Sequence, residues 1–197
     1  MANKLVEVQL VVPDTGILIS LAHGNLLDIL LNFAKKVNLT VTDVVEFEST
    51  RKADMFDAER IKDFLHRNSN RINVAPTSFH EYIERAKKDP NIPRIPDMGE
   101  ISIYGFINGL RSEIPGIPTL VLFEDNWFIR NQAHRPTSTH LVSLWAFLKY
   151  AEQVIPEFSF DVAIDKIKNT RPDVNLVDFD SPGLNDSEGI ETVWKPT

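Results

Sequence analysis

Short apolar runs alternate with longer segments of helical spacing along most of this chain, and that alternation sets the expected fold. Val8–Val12, Asn38–Val41, Arg71–Ala75 and Pro118–Phe123 read as strands, apolar or β-branched and bounded by turn residues. Between them, apolar residues recur at helical intervals. Ile17, Leu18 and Leu21 form one set and Leu26, Leu27, Leu30 and Leu31 another, with His23-Gly24-Asn25 as the break. Thr42 or Asp43 caps a helix carrying Val44, Val45 and Phe47, and a second helix turns Ile61, Phe64 and Leu65 inward. Pro76-Thr77 opens a helix through Phe79, Tyr82 and Ile83, and Asp97 caps one through Ile101, Tyr104, Ile107 and Leu110. Further helices fit Trp127–Gln132, His140–Glu152 and Phe160–Lys168. The prolines at 90, 93 and 96 exclude helix and central strand between them, leaving a rigid connector or a lid.

Strands separated by helices indicate parallel βαβ units, hence an α/β fold with a central parallel sheet of about four to five strands flanked by helices. The periodicity fades near Asn169. Residues 1–170 are expected to form the domain and 171–197 an acidic, loosely ordered tail, in which Val174–Val177 and Trp194 could dock on the body or a partner.

Composition narrows the chemistry. The 197 residues are 43% apolar and 25% charged, as in a globular domain. There is no cysteine, so disulfides, thiolate metal sites and cysteine nucleophiles are excluded, which fits a reducing cytoplasm. The apolar run near the N-terminus is too short to span a bilayer, so no membrane association is expected. A formal charge of −7 argues against a general nucleic-acid-coating role but not against a nuclease with a carboxylate cluster. The five histidines show no zinc spacing, and no Walker loop, Gly-x-Gly-x-x-Gly or nucleophile elbow is present.

What remains is a set of acids at strand ends and helix starts. Asp14 follows the first strand, Glu46 and Glu48 lie in the helix after the second, Glu100 begins the helix before the fourth, and Glu124-Asp125 follows the fourth. Each has an ordinary explanation. Asp14 and Asp125 can cap helices, Glu46 and Glu48 oppose a helix dipole, and Glu100 is spaced for a capping box with Asp97. Together, however, they would repel one another at one sheet edge unless a cation neutralised them. Hard oxygen donors without cysteine or paired histidine select Mg²⁺ or Mn²⁺.

These segments resemble the motifs of PIN-domain nucleases. Asp14-Thr15-Gly16-Ile17-Leu18 is similar to the opening Asp-Thr/Ser-x-x-Leu motif, and Val44-Val45-Glu46-Phe47-Glu48 to the second, with Glu48 the better match. Gly99-Glu100-Ile101 resembles the Gly-Glu variant of the third motif, and Leu120 to Asn126 the fourth. The likeness spans approximately Val6 to Lys168. It implies a three-layer PIN-like fold in which Asp14, Glu48, Glu100 and Asp125 are catalytic and hold Mg²⁺ or Mn²⁺. It also implies cleavage of single-stranded RNA, commonly as the toxin of a VapC-type pair with an antitoxin partner, and a homodimer. Glu124 and Glu46 would be auxiliary acids, and Thr15 would hydrogen-bond near Asp14. Arg51, Lys52 and Arg130 could grip the RNA backbone, although for any single residue of the basic stretch a solvated helix face paired with Asp54, Asp57, Glu59 and Asp63 is the better explanation. The rival readings are a phosphotransfer protein using Asp14, a PIN-like binding module, and a nuclease of structured DNA.

Overall fold

In the computed structural model, residues 4–5, 8–33, 37–52, 54–89, 91–181, 183–185 and 190–193 are described. Trp194 lies outside them. A six-stranded sheet forms the centre. Its strands are β2 (Leu10–Pro13), β3 (Asn38–Thr42), β4 (Ile72–Ala75), β5 (Thr119–Phe123), β6 (Thr139–Ser143) and β7 (Asp180–Ser181), ordered β4-β3-β2-β5-β6-β7. The first five are parallel and β7 runs antiparallel to β6. Every residue of β2, β5 and β6 is buried. Successive side chains on a strand point to opposite faces, so both faces of the sheet centre are covered, as in a three-layer α/β arrangement.

The helices come from the expected segments, with informative differences at their ends. Asp14 caps α1 (Thr15–Gly24), which stops at Asn25 in the left-handed region with φ 56°. The short α2 (Asp28–Phe33) follows. Thr42, not Asp43, caps α3 (Asp43–Thr50). Then come α4 (Phe56–Arg67) and α5 (His80–Lys88). The latter starts later than Pro76-Thr77 because the Thr77 hydroxyl donates to Asp43 Oδ1 at 2.7 Å, holding those residues in a turn. α6 (Met98–Glu113) precedes β5, and α7 (Trp127–Arg130) with a 3₁₀ turn follows it. α8 (Leu144–Val154) and α9 (Phe160–Thr170) complete the set among the described residues.

Two expectations need correction. Residues 139–143 belong to strand β6, not to a helix beginning at His140, and the helix starts only after its Ser143 cap accepts from the Ala146 amide at 3.2 Å. Residues 171–181 are not loose. They pack across the body, ending in β7 against β6, with Val174, Leu176 and Phe179 on the hydrophobic core. A small second sheet joins β1 (Lys4–Leu5), β8 (Gly183–Asn185) and β9 (Ile190–Val193). No helix among the described residues is long and apolar enough to cross a membrane.

Candidate functional site

The chain leaves β2 towards β3 on one side and leaves β5 towards β6 on the other, so the strand order reverses between these two neighbours. Parallel sheets open a crevice beyond the carboxyl ends of strands at such a point. Asp14 follows β2 and Glu124 follows β5, so both acids fall at that edge. Asp14 ties the two ends together. Its amide donates to Leu122 O at 2.8 Å, its Oδ1 accepts from the Ile17 amide at 2.7 Å, and its Oδ2 accepts from the Glu124 amide at 3.0 Å. The helix-cap explanation of Asp14 is therefore correct and incomplete: one oxygen caps α1 and the other clamps the next strand.

A cavity of about 630 Å³ opens there, lined among others by Asp14, Thr15, Glu48, Glu100, Asp125 and Arg130. The acids expected at one mouth are thus brought to one cavity from the β2–α1 corner, α3, α6 and the β5–α7 corner. Glu48 lines it and Glu46 does not. The Thr15 hydroxyl donates to Glu48 Oε2 at 2.9 Å, so Thr15 orients Glu48 rather than Asp14. Arg51 and Lys52 lie on a different cavity, described below.

Burial pushes the Asp14 carboxyl up to about 7 against its two amide bonds, and the charges of Glu124 and Glu100 add to the rise. Burial likewise raises Glu100 to about 7, reinforced by Glu48, Asp125 and Asp97. Glu48 is also raised by burial, opposed by the Thr15 bond and by Arg51 and Arg94. These are groups whose charges meet, and a cation among them would relieve both burial and repulsion.

The donor set fits a hard divalent ion in chemistry, since the cavity presents carboxylate, hydroxyl and amide oxygens. Among the described residues, no three His, Asp or Glu side chains are disposed to hold one ion together. Asp14 is fixed by its two amides, so ligation requires Glu48, Glu100 or Asp125 to change rotamer or reach the ion through water. Asp125 has other contacts: it accepts from the Trp127 amide at 2.7 Å and lies 3.8 Å from Arg130 in an exposed pair.

Glu124 also lines the cavity, with its carboxylate already engaged. Buried to 4% exposure, it accepts from Ser20, from Arg171 Nη1 at 2.8 Å and from the Asn175 amide at 3.3 Å. Burial raises its carboxyl, and Arg171 opposes the rise. The site residues that sequence reasoning missed come mainly from the segment 171–181, a strap across the body. Arg171, Asp173 and Asn175 line the cavity from beyond the expected domain end, and Asn175 also donates to Glu124 O at 2.8 Å and to Asn126 Oδ1 at 3.1 Å. Asp97 lines the cavity as well. No family model, curated protein or solved structure matches this chain.

Proposed function

We propose that this chain is a PIN-like, divalent-metal-dependent endoribonuclease acting on single-stranded RNA. The observation that carries the reading is the meeting, at the sheet's reversal point, of four carboxylates from four different elements, two of them raised to about 7. Asp14, Glu48, Glu100 and Asp125 would hold Mg²⁺ or Mn²⁺. When bound, such an ion supplies a Lewis acid for phosphoryl oxygens and acidifies a bound water. Asp14 is the fixed anchor, its carboxylate held by the amides of Ile17 and Glu124. Thr15 orients Glu48, and Glu100, on the first turn of α6, takes up or releases a proton near neutrality as the local charge changes. Arg130, exposed beside Asp125, is available to a substrate phosphate.

The test pairs cleavage of single-stranded RNA in Mg²⁺ or Mn²⁺ with calorimetric titration of Mn²⁺, using the wild type and Asp14→Asn. The wild type is expected to cleave and to bind Mn²⁺, and Asp14→Asn to lose both. Equal cleavage by the variant would sink the catalytic assignment. A second reading, a binding module that keeps the fold without the chemistry, is favoured by the absence of three acids disposed around one ion among the described residues. Its signature is a wild type that neither cleaves nor takes up Mn²⁺. Duplex DNA in the same assay separates the reading as a nuclease of structured DNA.

A further inference from the structure

The last turn of α3 touches two cavities. Glu48 lines the acidic one, while Phe47, Thr50 and Arg51, on a neighbouring helix face, line a second of about 490 Å³. Its other walls come from α5, through Tyr82 and Lys87, and from the proline-broken loop, through Arg94. Tyr82 forms a fixed wall, because its hydroxyl donates to Pro93 O at 2.8 Å and its ring packs with Phe47 on Val44, Ile83 and Met98. Lys87 is paired with Glu84 at 2.9 Å, and the Asp89 carboxylate is occupied by Asn91. Among the described residues, Arg51, Lys52 and Arg94 form no ion pair.

Arg51 ends α3, where a cation favourably meets the helix dipole. That accounts for Arg51 alone. Arg94 arrives from a separate loop, and its charge joins burial in lowering the Arg51 guanidinium from its ordinary value. Two cations that repel each other beside an aromatic wall, with the Glu48 charge set against them but no ion pair formed among the described residues, make a place for an anion carrying a flat ring. Single-stranded nucleic acid offers that combination, a phosphate beside a base.

We propose that the groove between α3, α5 and the 91–96 loop binds single-stranded RNA, with Arg51, Lys52 and Arg94 on a backbone phosphate and Tyr82 against a base. The strand then continues past the end of α3 into the acidic cavity. The inference rests on the nuclease reading for the course of the strand, and the binding itself can be measured without cleavage.

The experiment is fluorescence anisotropy with a labelled short oligouridylate in EDTA across a salt series, with circular dichroism as the check on folding. The wild type should bind. Arg51→Ala and Arg94→Ala should each weaken binding by about tenfold and flatten the dependence of log K on log salt by roughly one phosphate contact. Arg94→Glu should weaken it further, while Arg67→Ala, on α4 and outside the groove, should bind as the wild type does. No binding by the wild type at low salt, or unchanged binding by Arg94→Glu, overturns the groove. If Arg94→Glu binds normally while Asp14→Asn abolishes cleavage, the groove fails and the nuclease reading stands. If the Arg51 and Arg94 variants lose binding while the wild type cleaves no RNA, the groove stands and the nuclease reading fails.

Discussion

A methyl group on Gly99 would lie 2.7 Å from Glu48 Oε2, and one on Gly16 would lie 2.8 Å from Glu124 Cβ. The two clashes should differ in consequence. At Gly99 the obstacle is the free end of a flexible side chain, and alanine favours a helix over glycine, so Gly99→Ala should change stability by less than about 1 kcal/mol. It should displace the Glu48 carboxylate from Thr15, and Mn²⁺ affinity measured by calorimetry should fall about tenfold. At Gly16 the obstacle is a buried Cβ beside a strand end, and Gly16→Ala should cost roughly 1–3 kcal/mol in urea unfolding. Unchanged Mn²⁺ binding by a folded Gly99→Ala would remove Glu48 from the ligand set. Legibility at this scale was uneven. Asp14 at a strand end and the spacing of Gly99 and Glu100 could be read directly, because local grammar places them. The Asp97–Glu100 capping box could not be checked without the backbone. Asp97 sits at φ 54°, its side chain makes no cap bond, and both residues line the cavity.

Elements were legible where their period was unambiguous. The strand Thr139–Ser143 is buried throughout, and its apolar Leu141-Val142 run on past Ser143 into the apolar helix Leu144–Val154, so periodicity alone could not divide them. Ser143 as an N-cap was the available signal. The segment 171–181 was hidden for a different reason: its apolar Val174 and Leu176 could be singled out for docking, but the contacts that bring Arg171 and Asn175 to the site are polar and distant in sequence. Arg171 Nη1 donates to Gly16 O at 3.3 Å and to Glu124 at 2.8 Å, and also bonds Ser20. A hydrophobic pattern carries no record of such contacts. The pair is nearly buried, with side-chain exposures of 21% and 5%, so removing one partner strands the other. Arg171→Ala should therefore destabilise the protein by on the order of 3 kcal/mol in urea unfolding. Glu124→Gln in the same background should recover part of that loss, since it removes the stranded charge. A single variant within 0.5 kcal/mol of wild type, a range typical of surface positions, would show that the strap only decorates the site.

At the scale of the whole molecule, the sequence supported parallel βαβ units but not the order in which they lie, because register and neighbours depend on long-range packing. The order β4-β3-β2-β5-β6 brings Asp14 and Glu124-Asp125 to adjacent strand ends, and α3 and α6 add Glu48 and Glu100. This concentration of buried acid should be visible in the stability of the entire fold. Asp14 rises from 3.8 and Glu100 from 4.5, each to about 7. Between the ordinary and raised values the folded chain holds protons that the unfolded chain has already released. Unfolding then releases protons, so their contribution to stability is lost as pH rises from about 4 to about 7 and is flat above. For Asp14, at 3% exposure, the loss is on the order of a few kcal/mol. In EDTA, Tm should therefore fall between about pH 5 and about pH 8, and the fall should be smaller in Asp14→Asn, which cannot ionise there. On the metal-dependent reading proposed above, Mn²⁺ would compete with those protons and bind only the folded cavity, and it should then raise Tm more at the upper pH than at the lower, by mass action. A Mn²⁺-induced rise of equal size in Asp14→Asn would place the ion elsewhere. A wild-type Tm that is level in EDTA, with the same profile in the variant, would mean that Asp14 is ionised at no cost to the fold and that the cavity needs no cation to balance it.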